Sequence, residues 1–119
     1  MKTRTLTAAA VLACLIGGMA TQAQAGEPIE GKWRAPDGGI VQVDPCGSEF
    51  CATVVTGQHK GKAVGRMAGS GTNYEGTVTD PREDKTYTGT VEIADDGNSL
   101  KLEGCALKVF CKAQTWTRA

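Results

Sequence analysis

Four groups of residues in this chain have side chains able to do chemistry. The first is His59, the only histidine, in the polar run Gly57-Gln58-His59-Lys60-Gly61. An imidazole can act as a general base or bind a metal. Nucleophilic catalysis also needs a nucleophile and an orienting acid in a definable arrangement. One histidine among many acids defines no such arrangement, so His59 reads as a solvated loop residue. The second group is the carboxylates: Asp80, Glu83 and Asp84 in one place, Asp95 and Asp96 in another. Paired carboxylates can move protons or hold calcium. Both clusters stand beside Pro81 or Gly97, where Asp is favoured because it hydrogen-bonds its own backbone, so they read as turns. No nucleophile–base pair can be assembled from these residues, and the chain is expected not to be an enzyme and to need no cofactor.

Cysteines form the third group. With Cys14 set aside, Cys46, Cys51, Cys105 and Cys111 make an even set. In a small exported domain such a set implies disulfides, and four cysteines allow three connectivities. The short segments within each pair favour Cys46 with Cys51 and Cys105 with Cys111, each worth about 2 kcal/mol by chain entropy. The rival is a zinc site of four thiolates. The spacings here miss the tight C-x2-C knuckle, and an oxidising compartment works against free thiolates. No metal is expected.

The fourth group is Tyr74, Tyr87 and Gln114, the candidate ligand-binding residues. If Trp116 points inward, so does Gln114, two residues away. An apolar cavity with a few aimed polar groups is the usual form of a small-molecule site. Against this, barrels of about eight strands are often just filled by their own side chains, and these residues would then satisfy one another.

The elements that must position these groups follow an export leader. Lys2 and Arg4 precede an apolar, small-residue run from Leu6 to Ala20, and Ala23-Gln24-Ala25 is a small-x-small cleavage site. Residues 1–25 therefore read as a secretory signal peptide, and 26–119 as one small domain, periplasmic or secreted. A lipoprotein reading, with Val11-Leu12-Ala13 before Cys14, is weaker because the apolar run continues past Cys14. The run is too short and too rich in Ala, Gly and Thr to make a good membrane span of ~20 strongly apolar residues. Thirteen basic and thirteen acidic residues balance, and losing Lys2 and Arg4 leaves a slight acid excess. No basic patch with interleaved aromatics points to nucleic acid.

Past the leader, no segment carries a helical period. Strands are expected over Gly31 to Arg34, Ile40 to Asp44, Phe50 to Val55, Tyr74 to Thr79, Thr86 to Ala94, Ser99 to Glu103 and Ala113 to Arg118. The clearest is Thr86 to Ala94, with Tyr87, Gly89, Val91 and Ile93 on one face. Ala35-Pro36-Asp37-Gly38-Gly39, Pro45-Cys46-Gly47-Ser48 and Asp95-Asp96-Gly97-Asn98 read as breaks. Thr56 to Gly71 is polar and glycine-studded, with at most a weak strand from Ala63 to Met67. Glycines on inward faces (Gly76, Gly89, Gly104) mark sharp bends or close approach. They favour a closed barrel over a sandwich. Trp33 near the start and Arg118 at the end are expected to meet where the first strand closes on the last. The cation would lie over the indole, worth roughly 0.5–2 kcal/mol.

The set Gly31-Lys32-Trp33, Gly39-Ile40-Val41-Gln42-Val43, Cys46-Gly47 with Phe50-Cys51, Asp80-Pro81 with Lys85-Thr86-Tyr87-Thr88-Gly89, Leu102 with Gly104-Cys105, and Gln114-Thr115-Trp116-Thr117-Arg118 resembles the bacterial domain-of-unknown-function 2147 family. The resemblance implies an exported lipocalin-like (calycin) fold: a small antiparallel up-and-down β-barrel of about eight strands, with no established activity. It also implies that Trp33 and Arg118 make the structural pairing seen in calycins. Two departures stand out. Asp84 replaces the family's usual Gly, and the stretch after Val55 is short and polar where relatives carry a longer apolar loop. Separately, Ser70-Gly71-Thr72-Asn73-Tyr74 is similar to the Ser-Gly-x-x-Tyr loop of periplasmic lysozyme inhibitors, which enters the enzyme's cleft. The expected function is binding of a small apolar or amphipathic ligand. The alternative is a protein-binding module that uses Ser70, Gly71 and Tyr74 on a partner in the envelope.

Overall fold

The structure, a computed structural model, describes residues 26–106 and 110–119; the leader and Cys14 lie outside them. Eight strands follow one another around a closed barrel, each antiparallel to its sequence neighbour. They are β1 (Gly31–Arg34), β2 (Ile40–Cys46), β3 (Glu49–Val54), β4 (Ala63–Ser70), β5 (Asn73–Asp80), β6 (Lys85–Ile93), β7 (Ser99–Ala106) and β8 (Phe110–Arg118). The expected all-β, up-and-down barrel is therefore observed. Among the described residues no helix is long and apolar enough to cross a membrane, which says nothing about strands.

Period-two patterning explains the strands. Trp33, Val41, Val43, Val54, Met67, Tyr74, Val91, Ile93 and Leu100 are buried on inner faces, and their neighbours face solvent. Beyond one-residue shifts in β3, β5 and β6, the structure departs from the expected boundaries in three places. First, β2 runs through Pro45 to Cys46, and the break is only Gly47-Ser48. Its pairing with β1 ends at Val43, so the amide that Pro45 lacks would have served no ladder bond. Second, half of Thr56 to Gly71 is strand, since β4 continues to Ser70. Ala68, Gly69 and Ser70 have poor strand propensity, but each pairs with β5, opposite Glu75, Tyr74 and Asn73. Tertiary pairing overrides local propensity here. Third, β7 and β8 extend to Ala106 and from Phe110, beyond the expected Glu103 and Ala113.

The inward glycines form one row across three strands: Gly76 pairs with Gly89, and Gly89 with Gly104. A Cβ on Gly76 would collide with the Arg66 carbonyl. One on Gly89 would stand 3.0 Å from a Val78 methyl, and one on Gly104 3.1 Å from the same methyl. The row lets β4 and β5 approach and gives Val78 its place in the interior.

Closure is short. β1 and β8 pair only at Trp33 with Arg118 and Arg34 with Thr117, and the Ala119 amide adds a bond to the Lys32 carbonyl. In the continued register Thr115 would face Pro36, which has no N–H to give. There the chain turns away, with Gly38 N–H donating to the Ala35 carbonyl at 2.9 Å.

Candidate functional site

One end of the barrel is sealed by the Trp33 and Arg118 pair. Trp33 is fully buried, and its indole N–H donates to the Ile29 carbonyl at 2.8 Å. The Arg118 guanidinium carbon lies 3.8 Å from the indole centroid. Its nitrogens donate to the carbonyls of Glu30 (2.7 Å), Pro28 (2.8 Å) and Gly97 (3.0 Å). Burial lowers the guanidinium pKa from its ordinary value, yet an arginine remains a cation. The residues before β1 are thereby drawn across the barrel's end, with Ile29 as the plug. Tyr74 belongs to this end. It is buried, stands edge-on to Phe50 at 5.7 Å, and donates its hydroxyl to the Gly71 carbonyl at 2.8 Å.

Structure therefore separates the three candidate ligand residues. Tyr74 and Gln114 lie in one lateral row, Tyr74–Val91–Leu102–Gln114, with two strands between them. Tyr87 pairs with Val78, four residues along β5 from Tyr74 or about 13 Å at the usual strand rise. Tyr87 is half-buried. Gln114 is exposed although it sits on the inner face of β8, because β8 has no neighbour on the β1 side beyond Thr117. Its side-chain oxygen accepts the Trp116 indole N–H at 2.8 Å, and among the described residues no acceptor takes its amide nitrogen. Lys112, two residues back, shares this face and is exposed.

Behind Trp116 lies a small apolar cavity of about 40 Å³, lined by Leu102, Met67, Val78, Ala52 and Val91 among others. Ligand pockets usually measure about 300–1,000 Å³. The interior is thus nearly filled by its own side chains, and beside β8 this cavity meets an aromatic ring and polar groups; a wider, open cleft of about 380 Å³ lies over Gly69, Asn73, Tyr74, Glu75, Thr90 and Glu92.

The remaining candidates have structural places. Ser70 and Gly71 lie at the tip between β4 and β5, where Ser70 pairs with Asn73 across a two-residue turn and Gly71 takes φ 66°. Tyr74 points into the barrel behind that turn. His59 is half-buried in the loop before β4, near Gln58. Asp80 accepts from the Arg82 amide and guanidinium, and these bonds lower its pKa. Asp96 accepts from the Asn98 amide, so both acid clusters serve turns. Asp84, at φ 56°, occupies the left-handed conformation that glycine favours. Both favoured cysteine pairs are at bonding distance, with Cα separations of 5.8 and 4.0 Å. Among the described residues Glu103, Cys105 and Cys111 form a group of three candidate metal ligands, but its two sulfurs are bonded to each other.

Residues 62–118 match the family described as an uncharacterized protein conserved in bacteria (DUF2147). No curated protein and no solved structure matches the chain. The DUF2147 match spans β4 to β8, and so takes in the glycine row, the Cys105–Cys111 bridge, Gln114, Trp116 and Arg118. The pieces of the resemblance on β1 to β3 lie outside it.

Proposed function

We propose that this protein is an exported, non-catalytic barrel that binds a small amphipathic anion beside β8. The observation that carries the reading is the half-buried Trp116 over the apolar cavity, its indole N–H held by Gln114. A cavity of about 40 Å³ admits only the tip of an apolar chain, since one liquid water already takes ~30 Å³. The rest of the ligand would lie along Trp116, with its head at the amide nitrogen of Gln114 and the ammonium of Lys112. Two donors side by side favour an acceptor-rich head such as a carboxylate or phosphate. The two disulfides fit a chain that reaches an oxidising compartment.

Tryptophan emission tests this. Titrating the protein with alkyl carboxylates of increasing chain length should shift the emission of Trp116, because Trp33 is already sealed from solvent. The shift should vanish in Trp116→Phe, weaken in Lys112→Ala, and be smaller for alcohols of the same chain length. Flat emission across the series would remove the reading. No specific observation favours the inhibitor alternative: Ser70 to Asn73 are exposed at the tip, but Tyr74 faces the interior and is withheld from a partner.

A further inference from the structure

Among the described residues, some main-chain groups along β8 stand without partners. Arg118 N–H donates to the Asn98 carbonyl on the β7 side, and Ala119 N–H to the Lys32 carbonyl on the β1 side. Neighbouring residues of a strand alternate between the two sides. Arg118, Trp116, Gln114 and Lys112 therefore bond toward β7, while Thr117, Thr115, Ala113 and Cys111 present N–H and C=O toward β1. Only Thr117 meets β1 there. Thr115, Ala113 and Cys111 have no backbone or side-chain hydrogen-bond partner on that side among the described residues. An unpaired run of this kind is a template for another strand.

We propose that the chain forms a two-fold dimer in which this edge of β8 pairs antiparallel with β8 of a second copy, Ala113 at the axis. A second copy fits because an antiparallel edge is its own complement. Thr115 would lie opposite Cys111 of the other copy and Ala113 opposite Ala113, closing about six N–H···O=C bonds. Natural edges are commonly blunted by outward lysines or by proline. Here the outward side chains are Ala113 and Thr115, small and uncharged, and the only cation in the run, Lys112, would stand opposite Gln114 of the second copy. Without Lys2 and Arg4 of the leader, the thirteen bases fall to 13 − 2 = 11 against thirteen acids, a small excess that adds little repulsion between copies. Pro36 leaves this edge open by ending β1, so the feature that shortens the seam also exposes the interface. The inference does not rest on the ligand reading, and its test uses protein without ligand.

Sedimentation of the purified protein over a concentration series is expected to show the apparent mass doubling. Ala113→Pro removes the central free amide, so it should return the protein to monomer with its β-sheet circular dichroism intact. Ala113→Ser should still dimerise. Amide exchange gives a second readout: Cys111, Ala113 and Thr115 should become protected as concentration rises. A monomer at every concentration overturns the proposal. A dimer that survives in folded Ala113→Pro also overturns it, as do edge amides that exchange fast throughout, even if that variant fails to fold. The same holds if a foreign peptide, and never a second copy, protects them.

Discussion

Tyr74 and Gln114 share an inner-face row yet live in opposite environments, because of what flanks each strand. Tyr74 is paired on both sides, with Gly69 of β4 and Val91 of β6, and its ring is covered by Phe50 and the segment before β1. Burial, and then the nearby Glu27 charge, raise its pKa above the ordinary 10.0. The neutral phenol is therefore favoured in the barrel, while ionisation is easier in the unfolded chain. That stabilisation is fully present below the ordinary phenol value and is lost as pH rises through the raised one. Tyr74→Phe should flatten the alkaline loss while costing about 1 kcal/mol near neutrality for the bond to Gly71. Urea midpoints of both proteins at neutral and alkaline pH check this; an equal alkaline loss in each would clear Tyr74 as its source. Spacing in the sequence is enough to place both side chains on inner faces. It does not show that one is sealed and the other exposed, since that depends on residues far along the chain.

At the scale of elements, β6 was readable because Tyr87, Gly89, Val91 and Ile93 alternate without interruption. β4 was not, because its last residues are small or polar and become strand only by pairing with β5. The three inward glycines were legible as bends, but their alignment into one row needed the register of β5, β6 and β7. That register ranks the substitutions. Gly76→Ala drives a Cβ into the Arg66 backbone carbonyl, where nothing flexible can yield, and should cost about 3 kcal/mol or more. Gly89→Ala meets Val78 methyls at 3.0 and 3.1 Å. It should cost about 1 kcal/mol, with part recovered by adding Val78→Ala. Thermal or urea unfolding of the four proteins decides the order; equal costs at the two glycines would contradict this account of the row.

For the molecule as a whole, closure depends on two residue pairs, the Ala119 amide bond to Lys32 and one guanidinium. Arg118 joins the start of the domain, the turn at Gly97 and the last strand through three carbonyls and the Trp33 ring. Losing charge-assisted bonds and the cation–π contact together should cost roughly 3 kcal/mol in Arg118→Ala. Native-state amide exchange should show the loss concentrated at the β1–β8 seam, at Arg34 and Thr117, more than at the β5–β6 ladder. Arg118→Lys should recover little, because one ammonium cannot reproduce a planar fork aimed at several acceptors. Full recovery by Lys would show that charge alone, and not the fork, seals this end.

Sequence information was enough for most of the strands, the closed architecture, the Trp33 and Arg118 pairing and the favoured cysteine pairs. Alternation has a period of two, turns have their own residue preferences, and each bridge joins cysteines close in sequence. The filled interior, the separation of Tyr74 from Tyr87 and Gln114, and the free edge of β8 were settled only by tertiary structure. Each depends on register summed around eight strands and on where Pro36 halts the seam. Such long-range geometry cannot be read from spacing along the chain.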